Sequence, residues 1–117
     1  IYMYGSDYMN YEEEHRRNAF KPIKHNPIIL DFSACKYLGE IHRILKTEFG
    51  LPEYYGENWD ALWDCLCGLF YQRGSFKVEI YGFMSLPDDL REYCKTMLRI
   101  FDNVHKETPN VTFELIS

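Results

Sequence analysis

The chain has 117 residues, of which 46% are hydrophobic and 26% charged, and its formal net charge is −5. These values are typical of one soluble globular domain, and no apolar run approaches the roughly 18 residues that a membrane span requires. The N-terminus lacks the basic and then apolar pattern of a secretory signal. The chain begins at Ile1 rather than Met, so an upstream segment stays open as a possibility.

The excess of negative charge lies in one short segment. Between Thr47 and Gln72 there is no lysine or arginine, and the 13 acidic residues elsewhere balance the 13 basic residues of the chain. The five acidic residues of the segment are Glu48, Glu53, Glu57, Asp60 and Asp64. A patch of this kind repels nucleic acid and attracts basic proteins, so we expect a basic protein partner and no direct binding of nucleic acid.

The four cysteines lack the paired spacing of a metal or disulfide site. Cys65 and Cys67, on a helix, would point in nearly opposite directions. We therefore expect reduced thiols in or near the core, which is typical of a cytoplasmic protein. The four histidines are scattered without ligand spacing, and we expect no metal and no other cofactor.

The first part of the chain divides into an extension and the start of a domain. Residues 1–26 are polar, without a periodic apolar face, and predict a flexible or loosely attached extension of a domain at residues 27–117. The run IILDF, residues 28–32, predicts a buried strand. Apolar residues then recur at helical spacing up to Phe49, and Gly50 stands where that helix should end.

The second half of the chain predicts further helices and strands. Asn58 is a good N-cap for a helix from Trp59 to about Leu66, and FKVEIY alternates like a half-buried strand. Ser85 and Asp88 have capping-box spacing before an amphipathic helix, and the alternating run VTFELI follows it. Strands separated by helices are usually parallel, so this order predicts a small α/β layer structure.

The helix that begins at Trp59 carries an unusual side. Asp60 and Asp64 stack one turn apart, Trp59 and Trp63 stack beside them, and no cation lies three or four residues away. Three interpretations are open: a solvated helix face, a docking face for a basic protein, and a carboxylate pair for catalysis or metal binding. Because no histidine or glycine-rich loop accompanies the pair, we expect a binding protein rather than an enzyme.

The segment LPEYYGENWDALWDCLCG, residues 51–68, resembles the core motif of the barstar family, intracellular inhibitors of barnase-type ribonucleases. Weaker similarity extends over residues 27–117. The resemblance implies a barstar-like α/β layer fold, with helices on a three-stranded parallel sheet. It also implies that an acidic helix and the loop before it plug the active site of a bacterial guanyl-type ribonuclease and mimic RNA phosphates.

The resemblance further implies which residues would meet the partner. Asp64 is expected to reach the phosphate-binding arginines and the catalytic histidine of the enzyme, and Asp60 its neighbouring donors. The full expected contact set is Tyr54, Gly56, Asn58, Trp59, Asp60, Trp63, Asp64, Cys67, Gly68 and Asn103. The chain departs from barstar by having Trp59 for leucine, Cys67 for threonine, Leu69 for tryptophan and Asn103 for glutamate.

Two functions therefore follow from the sequence. The first is a cytoplasmic inhibitor of a barnase-like ribonuclease. The second is an immunity or regulatory module that keeps the fold and binds a different basic nuclease toxin or another basic protein. The departures at Trp59 and Asn103 are the positions at which we expect specificity to have moved.

Overall fold

The computed structural model of the chain describes residues 19–71 and 74–117. Within these residues, strands and helices follow in the order β1 (Ile28–Asp31), α1 (Leu38–Phe49), α2 (Trp59–Phe70), β2 (Phe76–Tyr81), α3 (Asp88–Glu107) and β3 (Val111–Leu115). The strands form one sheet in which β2 is central and both neighbours run parallel to it. The predicted α/β fold with a three-stranded parallel sheet is confirmed.

One face of the sheet is buried and the other faces solvent. Ile28 of β1 is aligned with Val78 of β2, and both are buried, whereas the intervening side chains of β1 are exposed. On the exposed face, Lys77 lies 3.4 Å from Glu79 and 3.3 Å from Glu114. The helices therefore cover the apolar face of the sheet, and the polar face is stabilised by its own ion pairs.

Aromatic contacts join the three helices. The Phe49 ring at the end of α1 meets Phe70 of α2 and Phe101 of α3 edge-on, at centroid distances of 6.0 and 6.1 Å. The inward side of α2 lies in the core, because Leu62, Cys65, Leu66 and Leu69 are all buried. Burial of this stripe leaves the opposite side of α2, with its carboxylates, in solvent.

The ends of α1 and α2 lie where the sequence places them, except that α2 is longer. Gly50 ends α1 in a left-handed conformation, with φ 64°, and its N–H reaches the carbonyls of the last turn. Asn58 caps α2, since its side-chain oxygen accepts a hydrogen bond from the Ala61 N–H at 2.8 Å. The helix continues past Leu66 to Phe70 because the additional turn buries two further apolar side chains.

The predicted capping box at Ser85 and Asp88 is wrong. Ser85 ends a short 3-10 turn that begins at Phe83, and α3 starts at Asp88 after Pro87 without a side-chain cap. Arg91 stabilises this start instead, because its guanidinium donates hydrogen bonds to the Leu86 carbonyl at 3.0 Å and to Asp88 at 2.8 Å.

The last residues of the predicted N-terminal extension lie against the domain, while residues 1–18 are outside the described part. Phe20 and Ile23 pack against the core, and the Lys21 N–H donates to the Gly50 carbonyl at 2.8 Å. The Asn26 side chain bonds the backbone on either side of Phe76, at Ser75 and Lys77. The domain boundary at residue 26 stays a prediction. Across the described ranges, no helix combines the length and apolarity that crossing a bilayer requires.

Candidate docking surface

The loop between α1 and α2 has buried anchor residues and an exposed outer side. We call residues 51–58 the docking loop, and the loop together with the solvent-facing side of α2 the docking surface. Leu51 and Tyr55 are buried, whereas Tyr54 keeps 58% of its surface exposed. The Tyr55 N–H donates to the Pro52 carbonyl at 3.0 Å, which closes a turn and presents Tyr54 outward. Glu57 adopts a left-handed φ of 53°, which is uncommon outside glycine.

A network at Asn58 links the docking loop to α2. While its oxygen caps the helix, the Asn58 side-chain nitrogen donates to the Gly56 carbonyl at 3.3 Å. A side chain at Gly56 would be tight here, because an added Cβ would lie 3.2 Å from that nitrogen. Gly56 and Asn58 therefore shape the approach to the helix, and both are exposed.

The two aspartates of α2 carry uncompensated charge. Asp60 and Asp64 are exposed one turn apart, and within residues 19–71 and 74–117 neither forms an ion pair. Helix geometry brings side chains at this spacing to the same side. The pair is available to an external cation.

Glu53, unlike Asp60 and Asp64, forms ion pairs, because the fold brings two lysines from outside the acidic segment to its carboxylate. Its carboxylate lies 3.2 Å from the Lys21 ammonium and 3.3 Å from that of Lys46. Hydrogen bonds from Lys21 and then Lys46 hold the pKa of this exposed carboxyl below its ordinary value. Among the described residues, the acidic side chains of the docking surface that form no ion pair are Glu57, Asp60 and Asp64.

Trp59 packs inward rather than standing on the surface. Its ring centroid lies 4.8 Å from that of His42 and 5.7 Å from that of Tyr93, and its indole N–H is buried without an acceptor in the described part of the chain. His42 is 2% exposed, and its Nδ1 lies 2.6 Å from the Tyr55 hydroxyl oxygen. Neither His42 nor Tyr55 stands out in the sequence as a site residue. The available signal was spacing, since His42 lies four residues after Leu38 on the apolar side of α1.

A groove of ≈ 390 Å³ opens beside the aspartates, between α2 and the end of α3. Its lining residues are Trp63, Cys67, Tyr71, Val104, Glu107 and Thr108. Burial first, and then the charges of Glu107 and Asp64, raise the pKa of the Cys67 thiol. The groove therefore combines aromatic walls with negative charge, and it contains two of the expected contact residues.

The remaining expected contacts lie at the margins. Gly68 faces the Phe20 ring, whose Cζ would be 3.7 Å from an added Cβ. Asn103 is exposed on α3, next in sequence to Val104 of the groove. The structure thus brings nine expected residues together on the docking loop and α2, with Asn103 on the neighbouring helix.

Other features of the fold carry no expected contact residue. A second groove of ≈ 440 Å³ lies between α3 and the strands β2 and β3, away from the docking loop and α2.

All four cysteines are free, as predicted, with Cys35, Cys65 and Cys94 buried. Burial raises the pKa of Cys94 to about 11, so this thiol is unreactive. Over the ranges that the structure describes, no three His, Cys, Asp or Glu side chains gather as metal ligands.

The chain is similar to a known protein family and to a curated protein. A family model described as Barstar (barnase inhibitor) matches residues 25–116. A Bacillus subtilis (strain 168) protein named "Putative ribonuclease inhibitor YrdF" is 46% identical to this chain over 41 residues. Those residues are 35% of this chain and 45% of the relative, so the match spans less than half of the relative's length.

Proposed function

This chain belongs to the barstar family, and from that premise we propose that it inhibits a ribonuclease by inserting its docking surface into the active site of the enzyme. The observation that carries the proposal is the exposed pair Asp60 and Asp64 on the outer side of α2, for which the described residues supply no ion pair. Carboxylates at this spacing would occupy the positions in the active site of a ribonuclease at which RNA phosphates bind. The proposed partner is a basic, barnase-like enzyme of the guanyl type.

Each contact has a proposed role. Asp64 would accept hydrogen bonds from the phosphate-binding arginines and the catalytic histidine of the enzyme, and Asp60 would meet neighbouring donors. Such charge-assisted bonds are short and strong once water is excluded. Tyr54, which projects from the docking loop, would pack on the enzyme surface beside them.

The groove extends the proposed interface beyond the aspartates. Trp63 offers an aromatic wall and Glu107 a carboxylate, a combination that suits an arginine of the partner. Gly68 and Asn103 would lie at the edge of the contact. The negative field of the surface also speeds encounter with a basic enzyme, an effect for which the barnase and barstar pair is itself a standard example.

A second candidate is an immunity or regulatory module for a different basic nuclease. The uncharged Asn103, exposed beside a groove that Cys67 lines, favours it, since both residues depart from barstar. In either candidate the chain acts by binding and not by turnover. It would act in the cytoplasm, a compartment in which free cysteines such as those of this chain stay reduced.

The test is inhibition of RNA cleavage by purified barnase. Wild-type protein should abolish cleavage at a one-to-one ratio, and Asp64→Asn should weaken inhibition at least about 30-fold. Losing one partner of a desolvated charge pair costs on the order of 2–5 kcal/mol, and the barnase and barstar pair is itself among the systems in which such charge pairs have been measured.

The matched control is Glu114→Gln, which removes one exposed charge from the far face of the sheet and should inhibit like wild type. Equal inhibition by Asp64→Asn would refute the role of that carboxylate. If wild type leaves barnase active but blocks another basic nuclease, the second candidate is supported.

A further inference from the structure

The strand β3 is an edge of the sheet, and every second residue along it directs its backbone N–H and C=O away from β2. Two hydrogen bonds at the ends of the β2–β3 ladder show which residues these are. The Phe76 N–H donates to the Asn110 carbonyl at 3.1 Å. The Ile116 N–H donates to the Ile80 carbonyl at 2.8 Å. The even-numbered residues of β3 therefore pair with β2, and the outward groups belong to Val111, Phe113 and Leu115.

The outward groups of Val111 are already bonded inside the chain. Its N–H donates to the Thr108 carbonyl at 3.0 Å, and its carbonyl oxygen lies 2.7 Å from His105 Nδ1. Because a carbonyl only accepts, the imidazole donates this bond. The outward groups of Phe113 and Leu115 form no hydrogen bond with the part of the chain that the structure describes. We call residues 113–115 the open edge, which offers two donors and two acceptors.

An apolar groove follows the open edge on the helix side of the sheet. It is the groove of ≈ 440 Å³ in which Leu98 and Phe101 of α3 face Phe113 and Leu115 of β3. The Phe113 ring stacks on Phe101 at a centroid distance of 4.5 Å, whereas Leu115 keeps 46% of its surface exposed. Unpaired backbone groups beside an exposed apolar side chain are a template for another strand.

We propose that the open edge binds a second copy of this chain, with the two β3 strands antiparallel about a two-fold axis at Glu114. In this register Phe113 lies opposite Leu115 of the second copy, and such a pair exchanges two N–H···O bonds. All the outward groups of both open edges are then satisfied. A two-fold axis at Phe113 would instead place Leu115 opposite Val111, whose N–H is already bonded to Thr108.

The side chains on the helix side of the sheet favour this register. Phe113 and Leu115 lie there, because they are aligned with the buried Val78 and Ile80 of β2. Directly opposite residues of an antiparallel pair have Cβ atoms about 4.5–5.5 Å apart. Leu115 of each copy would therefore lie against Phe113 of the other and cover the groove. The two apolar surfaces are identical, as a two-fold interface requires.

The solvent side of the sheet opposes the pairing in part. Glu114 would lie directly opposite Glu114 of the second copy, and like charges in that position are destabilising. Lys77 reduces the repulsion, since its ammonium lies 3.3 Å from the Glu114 carboxylate of its own chain. Because the open edge is also short, we expect a weak dimer that forms at high protein concentration.

The first test is sedimentation equilibrium of the full chain from about 20 µM to 1 mM. The average mass should rise from that of one chain toward that of two. A mass of one chain throughout would overturn the inference. This measurement needs no ribonuclease, and the inference does not rest on the proposed function.

NMR locates the interface in a mixture of isotope-labelled and unlabelled chains. A filtered NOE should connect the Glu114 Hα atoms of the two copies, because the Cα atoms of such a pair are only about 4.5 Å apart. Exchange of the Phe113 and Leu115 amides should slow as the concentration rises. A dimer without the Glu114 contact would overturn the inference. Slow exchange that does not depend on concentration would do so as well, since a segment of the same chain would then cover the edge.

A proline at the open edge tests the backbone pairing. Leu115→Pro removes an outward N–H and no bond to β2, a position at which an edge strand accepts proline. The dissociation constant of the dimer should rise at least about tenfold. Leu115→Ile keeps the N–H and the side-chain volume, and should stay within about threefold of wild type. Equal dimerisation of the two variants would contradict strand pairing.

Removal of the central charge should have the opposite effect. Glu114→Gln should tighten the dimer several-fold, because the two carboxylates no longer face each other. Asp64→Asn removes the same charge from α2, away from the groove, and should change the dissociation constant much less. Equal effects of the two variants would show that only net charge matters and would refute the register. This comparison holds even if Leu115→Pro fails to fold.

Discussion

The Phe20 ring lies against α2 at Gly68, where a methyl group added to the glycine would be 3.7 Å from Phe20 Cζ. A residue from before β1 thus covers part of the helix that bears Asp60 and Asp64. The neighbouring backbone bond from Lys21 to Gly50 and the ion pair from Lys21 to Glu53 hold the same segment in place. Phe20 and Lys21, which precede β1, therefore support the docking surface.

Phe20→Ala should lower the free energy of unfolding by about 1–3 kcal/mol. Truncation of a fully buried phenylalanine to alanine lowers the free energy of unfolding by about 3–5 kcal/mol. The effect should be smaller here because Phe20 is only partly buried. Urea unfolding measures the loss. Tyr37→Ala, at a side chain with 71% exposure, should change stability by less than about 0.5 kcal/mol. Equal losses in the two variants would show that the Phe20 contact contributes nothing.

Gly50→Ala should destabilise the fold by at least about 1–2 kcal/mol, the cost of a left-handed conformation for a residue with a Cβ. The loss should be larger than this, because the added Cβ would collide with the Lys21 carbonyl. The control is Gly39→Ala in the first turn of α1, where an added Cβ would lie more than 4 Å from every described atom outside the local helix backbone and the two neighbouring residues. Alanine should be neutral there or stabilising by up to about 1 kcal/mol. Thermal unfolding of both variants checks the difference, and a stable Gly50→Ala protein would contradict it.

Asn58→Ala should cost about 0.5–2 kcal/mol of stability, since the cap on the Ala61 N–H is lost. Asn58→Ser supplies another capping oxygen and should recover most of the loss. Urea unfolding gives the stability, and exchange of the Ala61 amide locates the effect. If the serine and alanine variants unfold alike, the cap does not stabilise α2.

Asp60→Asn and Glu53→Gln each remove one negative charge from the same segment, but they should differ in binding. The charge of Glu53 is compensated by Lys21 and Lys46, whereas Asp60 forms no ion pair with any residue that the structure describes. Stopped-flow association with barnase at low salt should therefore slow several-fold for Asp60→Asn and change little for Glu53→Gln. High salt should reduce the difference, because mobile ions screen exposed charges. Equal slowing would show that the two lysines do not compensate Glu53.

Much of the fold was predictable because it depends on short-range patterns. The alternation of FKVEIY gives β2 at Phe76–Tyr81, and Gly50 and Asn58 mark the helix ends on either side of the docking loop. The predictions that were wrong concern helix ends whose position depends on packing between residues far apart in the sequence. The end of α2 extends to Phe70 because the core accepts another turn, and Ser85 is drawn into a 3-10 turn before α3.

The candidate site also combines features that short-range patterns determine with features that depend on tertiary packing. The spacing of Asp60 and Asp64 places them on one side of α2 whatever the helix packs against, so the sequence alone determined the acidic pair. Only the tertiary structure decided that Glu53 meets Lys21, 32 residues away, and that Trp59 lies on His42 instead of in solvent. Periodicity records which side of a helix is apolar, whereas the partners of each side chain depend on how separate helices and loops come together in space.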